Sequence, residues 1–203
     1  MGDIDAVLFD MDGTLVGSDA AVELAWRQWA ADHDLPPEPV LAAAYGRPIS
    51  ATIRHLAPWL DDDAVRLEVD RQNDREVADA DGTKPLPGAY ELLAELDRLG
   101  TPWAVVTSAG RRLAEARLQA TGITPQILVT ADDVRVGKPD PEGYLLAATH
   151  LGVSPRRCLV VEDSLPGIEA GRRAGAQVAA LRGHPGDLAI TDLHELLPVI
   201  HVR

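Results

Sequence analysis

Five short apolar runs punctuate the 203-residue chain, at residues 4–9, 103–106, 127–130, 158–161 and 177–181. Near-continuous apolarity over so few residues fits strands buried on both faces. Segments with helical periodicity precede or separate the later four runs, at 87–99, 111–121, 142–151 and 165–174. Each is followed at once by a glycine: Gly100, Gly122, Gly152 and Gly175. Glycine just past the last turn is a helix-stop signal. Alternating strands and helices predict an α/β chain built on an open parallel sheet of five core strands, with helices on both faces.

The interval 15–82 breaks this rhythm. It holds no convincing strand and reads as helices at 20–33, 50–60 and 62–80, with Ser18 or Asp19 as the N-cap of the first. Three of the four tryptophans, Trp26, Trp29 and Trp59, lie here. Trp26 and Trp29 are three residues apart and share a helix face, so they are expected to form the core of this segment. The expected division is a core of residues 1–14 plus 83–203 and an inserted helical domain of residues 15–82. Residues 15–17 and 81–83 are candidate hinges.

The formal net charge of −13 disfavours nucleic acid and anionic membranes as partners. An anionic substrate would need local positive charge or a metal to draw it in. Among the basic residues 17 are Arg and only Lys84 and Lys138 are Lys, so each Lys is informative. Cys158 is the only cysteine. That excludes an internal disulfide and a Cys-based metal site, and its apolar setting predicts a buried thiol. With no leader peptide and no apolar run of membrane-spanning length read from the chain, a cytoplasmic location is expected.

The first run ends in Asp10-Met-Asp12-Gly13-Thr14. Carboxylates two apart on extended backbone point to the same side, where one can attack while its neighbour moves protons. A plain Asx turn is the alternative. The second run ends in Thr107-Ser108, placed either to bind phosphate oxygens at a helix start or simply to cap it. Lys138 is held between Gly137 and Pro139; a rigidly placed ammonium can neutralise a phosphoryl group, whereas an ordinary surface lysine would be solvated. The fourth run ends in Glu162-Asp163, oxygen donors suited to a hard cation or to the start of the next helix. All four motifs fall at carboxyl ends of strands, where open α/β sheets bind ligands.

In this order, the four motifs resemble those of the haloacid dehalogenase superfamily of phosphatases, over essentially the whole chain. The stretches Gly137-Lys-Pro-Asp-Pro-Glu-Gly-Tyr144 and Glu162-Asp-Ser-Leu-Pro-Gly-Ile-Glu-Ala-Gly171 are similar to the branch acting on sugar and glycerol phosphates. The resemblance implies a Rossmann-like core carrying a mobile α-helical cap. It implies that Asp10 attacks phosphorus to form a phosphoaspartyl intermediate. Asp12 would protonate the leaving alcohol and then activate water. Mg²⁺ would be held by the Asp10 carboxylate, the Asp12 backbone carbonyl and Asp163, with Glu162 in support. Thr107 and the Ser108 amide would take phosphate oxygens, and Lys138 would offset their charge. The cap would choose the leaving group, with Tyr45 and Arg47 as candidate contacts. The implied partner is a small phosphorylated metabolite, and the implied state a monomer.

Within the superfamily, a dehalogenase has no need of a proton donor at Asp12. A phosphonate hydrolase needs a cap lysine, and residues 15–82 contain none. The serious alternative is a sugar-phosphate mutase of the β-phosphoglucomutase type. Its cap carries a His and a Lys–Arg arrangement; here Val22 stands at the His position, and Tyr45 and Ile49 replace the Lys and Arg. A non-catalytic binding protein on the same fold is the alternative of another class. Such a chain would usually lack Asp10, Asp12 or Lys138, and all three are present.

Overall fold

The computed structural model describes residues 4–44 and 47–200; Tyr45, proposed above as a substrate contact, lies outside them. In chain order the first elements are β1 (Ala6–Phe9), β2 (Val16–Gly17), α1 (Asp19–Asp32), α2 (Pro37–Ala44), α3 (Ile49–Leu56), α4 (Asp62–Ala78) and β3 (Lys84–Pro85). There follow α5 (Ala89–Leu99), β4 (Trp103–Val106), α6 (Arg111–Thr121), β5 (Ile127–Val129) and α7 (Glu142–Leu151). The chain continues through β6 (Cys158–Glu162), α8 (Leu165–Ala174), β7 (Gln177–Ala180), β8 (Leu188–Ala189) and α9 (Leu197–Ile200).

The main sheet runs β5-β4-β1-β6-β7-β8, with every neighbouring pair parallel. The expected five strands are all present. A sixth, β8, pairs only Leu188 and Ala189 with β7; two residues are too few to register as an apolar run. Side chains alternate across the sheet as the period of a strand requires. Val7, Phe9, Trp103, Val105, Leu159 and Val161 enter a cluster on one face, completed by Leu92 and Leu96 of α5 and Leu118 of α6. Leu8, Val106, Val160 and Val178 enter the other, under Tyr144 of α7 and Ile168 of α8. Cys158 is buried in that second layer, where burial pushes its thiol up to about 11. The four predicted helix-stop glycines are all left-handed C-caps.

Between β2 and β3 the described residues form four α-helices rather than three. The unanticipated α2 begins at Pro37, a residue tolerated in a first helical turn because no amide there needs a partner. Ser18 stands at the N-cap of α1, but its side chain makes no capping bond. Trp26 and Trp29 meet edge to face, 5.7 Å between centroids, inside a cluster with Val40, Ile53 and Val65. Trp59 is exposed. The connections into and out of this bundle run side by side. β2 pairs antiparallel with β3, and the Leu86 amide donates to the Leu15 carbonyl at 2.9 Å. No helix among the described residues is long and apolar enough to cross a membrane.

Candidate active site

The strand order reverses around β1. The chain leaves β1, returns on one side as β4 and β5, and then crosses to the other side as β6, β7 and β8. Such a switch point opens a crevice beyond the carboxyl ends of the central strands. Asp10 follows β1, Thr107 follows β4 and Glu162 ends β6.

The loop after β1 closes tightly. The amides of Leu15 and Val16 donate to the Met11 carbonyl, and the Gly13 amide to that of Val16. Gly13 has φ +81°, and a Cβ there would run into the Asp163 carboxylate and lie 2.8 Å from Arg182 Nη2. Both facts require glycine.

Lys138 reaches in from the loop between β5 and α7 to join the motifs. Its Nζ lies 2.5 Å from Asp10 Oδ1, 2.6 Å from Glu162 Oε1 and 3.0 Å from the Val106 carbonyl. It also stands 5.2 Å from the ring centroid of Tyr144. Burial opposes the charged ammonium, yet the two carboxylates more than offset it and hold the lysine well above its usual range. Asp10 is pushed the other way. Burial and the nearby Glu162 and Asp163 raise it well above the ordinary carboxylate range despite Lys138. Asp163 is raised to about 6 by burial and Glu162. Glu162, though buried, is lowered by Lys138 and its hydrogen bonds.

Oxygens of Asp10, Glu162 and Asp163 lie within 4.8 Å of one another. Three carboxylates face the Lys138 ammonium and the Arg182 guanidinium, 2.9 Å from Asp163, which leaves the pocket one positive charge short, and an all-oxygen donor set of this kind suits a hard divalent cation. The donors differ in availability. Glu162 accepts from Lys138, the Tyr144 hydroxyl, the amides of Asp163 and Ser164 and the Ser164 hydroxyl. Its carboxylate is therefore engaged in fixing its neighbours. Asp10 and Asp163 keep more of their lone pairs.

Thr107 is buried, and its hydroxyl oxygen accepts from the Ala109 amide at 3.0 Å. It does not cap α6; Gly110 holds that position, and Asp132 receives the Arg111 amide at 2.8 Å. Ser108 is exposed in the bend between them. Ser164 does cap α8, accepting from the Gly167 amide at 3.2 Å. Arg47 is exposed at the start of the turn into α3, and no hydrogen bond or ion pair among the described residues joins it to those above.

A model of the haloacid dehalogenase-like hydrolases matches residues 4–175. The chain belongs to this family. Among these hydrolases it is 42% identical over 195 residues to hexitol phosphatase A of Escherichia coli, covering 96% of this chain and 89% of that protein. It is 35% identical to an N-acetylmuramic acid 6-phosphate phosphatase of Pseudomonas aeruginosa, covering 91% and 85%. A β-phosphoglucomutase structure from Clostridium difficile superposes with a TM-score of 0.84 over 97% of this chain and 95% of that one. At 21% identity that likeness shows the fold alone.

Three residues that contact the candidate site were not read from the sequence. Tyr144 bonds Glu162 at 2.8 Å. Arg182, at a left-handed φ of 54°, reaches Asp163 at 2.9 Å and Asp19 of α1 at 3.2 Å. Arg117 of α6 is buried and pairs with Asp12 at 2.9 Å and with Glu76 of α4 at 2.6 Å. Arg117 had a legible signal: it falls among Leu113, Ala114, Leu118 and Thr121 on the buried face of its helix, where a charge is out of place unless paired.

Proposed function

We propose that this hydrolase cleaves a small phosphate monoester, of a sugar or polyol, through a phosphoaspartyl intermediate on Asp10. The observation that carries the reading is the Asp10–Lys138–Glu162 unit at the switch point of the sheet, 2.5 and 2.6 Å across its two contacts. The phosphatase relatives, hexitol phosphatase A foremost, support the substrate class. The division into a core and a cap of residues 15–82 is part of the same proposal.

Asp10 acts as the nucleophile. Lys138, anchored by Glu162 and the Val106 carbonyl, holds its ammonium against Asp10 Oδ1 and lowers the charge repulsion met by an approaching phosphoryl group. Thr107 keeps its hydroxyl hydrogen for a phosphoryl oxygen, and the exposed Ser108 bend offers its backbone amide beside it. Asp12 donates a proton to the leaving alcohol and then takes one from water. Mg²⁺ would be held by Asp10, Asp163 and the Asp12 backbone, and supplies charge neutralisation for both phosphate and nucleophile. Splitting hydrolysis into two displacements on one carboxylate replaces a very slow single step.

Among the described residues, the position of the mutase's cap histidine argues against that alternative. Val22 is packed against the apolar cluster of the bundle, so the position of the mutase imidazole carries an aliphatic side chain.

The test is phosphate release from a panel of hexitol, glycerol, hexose and deoxyhexose phosphates and β-glucose 1-phosphate, with Mg²⁺ and with EDTA. Preference for a sugar or polyol ester, lost with EDTA and restored by Mg²⁺, is the expected result. Isomerisation of β-glucose 1-phosphate without phosphate release would replace the reading with the mutase. Release undiminished by EDTA would remove the metal from it.

A further inference from the structure

We propose that Arg117 is a positioning residue that ties the Asp12 carboxylate to the last helix of the α1–α4 bundle through Glu76. The proposal rests on the reading of Asp12 as proton donor and deepens it.

Arg117 has 3% of its side chain exposed and Glu76 has 6%, so both groups are all but closed off from bulk water. The guanidinium spends one terminal nitrogen on each carboxylate: Nη1 lies 2.9 Å from Asp12 Oδ2, and Nη2 donates to Glu76 Oε2 at 2.6 Å. Because the guanidinium is planar and rigid, fixing one carboxylate on it fixes the direction of the other. A lysine at this position could not impose that relation. Asp12 Oδ1, in contrast, has no hydrogen-bond partner among the described residues although it is buried. The 28% of the Asp12 side chain that is exposed therefore excludes Oδ1, and the other oxygen, Oδ2, is the one whose direction Arg117 holds.

Glu76 comes from α4, the helix that leads into the exit connection. Its inward face is polar. Glu68, Gln72 and Glu76 recur every four residues and are all buried. Glu68 is satisfied within the bundle by the Trp29 indole at 3.0 Å and by Arg71 at 2.8 Å. Glu76 alone of the three reaches across to the core. A shift of α4 relative to α6 therefore alters the charge balance and aim of Arg117, and through it of Asp12. The bundle and the proton donor behave as one electrostatic unit.

The role predicts sensitivity to the leaving group. An alkoxide needs its proton in the first displacement, whereas p-nitrophenolate leaves without one. The experiment measures kcat/KM of the full-length enzyme, which reports that displacement, for a hexitol phosphate and for p-nitrophenyl phosphate. The enzymes are wild type, Glu76→Gln, Arg117→Lys and Arg117→Met. General acid catalysis contributes roughly 10²- to 10⁴-fold. Weakening the acid's placement should thus lower the alkyl-to-aryl ratio by about tenfold or more in Glu76→Gln. The ratio should fall further in Arg117→Met, with partial recovery in Arg117→Lys. Glu76→Gln keeps the shape of the side chain and an accepting oxygen, so it serves if Arg117→Met does not fold. Equal losses on both esters, or no loss on either, would overturn the coupling while leaving the phosphatase reading intact. A wild-type enzyme that cleaves neither ester would overturn both.

Discussion

Gly167 offers a sign test of the site's construction. It is the third residue of α8, where alanine would ordinarily gain up to about 1 kcal/mol in helix propensity. Here a Cβ would fall on the Glu162 carboxylate. That carboxylate ends a flexible side chain, but five hydrogen bonds pin it. Hydrogen bonds to charged groups contribute about 1.5–3 kcal/mol each. If two are lost as Glu162 turns aside, about 3–6 kcal/mol goes, and the propensity gain returns about 1. Gly167→Ala should therefore be destabilised by about 2–5 kcal/mol, a large share of the roughly 5–15 kcal/mol that holds a typical domain. Urea unfolding followed by circular dichroism would read this as a midpoint lowered by about 1–2.5 M, taking an m-value near 2 kcal/mol/M. Turnover should fall with it, since Lys138 shares the displaced carboxylate. A midpoint equal to or above wild type, at unchanged m, would refute the packing of Glu162 against the start of α8.

Two further outcomes follow from the same geometry. Lys138→Ala removes the ammonium between Asp10 and Glu162, and its kcat on the best ester should drop by roughly 10²-fold or more; a loss under about fivefold would make Lys138 a bystander. Asp133 gives a pH signature. Although burial opposes it, the Thr130 hydroxyl and amide and Arg111 hold its carboxyl below the usual range. A depressed carboxylate stabilises the fold above its unfolded pKa of about 3.9, and that contribution fades as pH falls through the lower folded value. The melting temperature of wild type should exceed that of Asp133→Asn at pH 6, with the gap closing below about pH 4. A gap constant from pH 3 to 7 would show that the charge is not what matters.

The strands and the four motifs were legible because they obey local rules. Apolar runs mark doubly buried strands, and glycine marks the ends of α5, α6, α7 and α8. What escaped obeys no such rule. β8 is two residues long and takes its register from β7. α2 opens with Pro37 and Pro39, which read as breakers unless the first turn is already known. In α4 the buried positions are Val65, Glu68, Gln72 and Glu76, so a search for apolar periodicity finds the helix without its inward face. Arg117 and Tyr144 touch partners 105 and 18 residues away, at Asp12 and Glu162, and such pairings exist only once the sheet has been ordered. The alternative of Thr107 as a helix cap could be dismissed only with coordinates, because Gly110 holds that position three residues on.

The central claim is that Asp10 carries the phosphoryl group. It is tested most directly by quenching the enzyme in acid during turnover of its preferred ester, reducing with borohydride and mapping the modified residue by mass spectrometry. Reduction converts an acyl phosphate to an alcohol, so the account predicts homoserine at position 10 in wild type. It predicts no modification, and no phosphate release, in a folded Asp10→Asn variant. Phosphate released at full rate with position 10 unmodified, or label trapped on another residue, would contradict it.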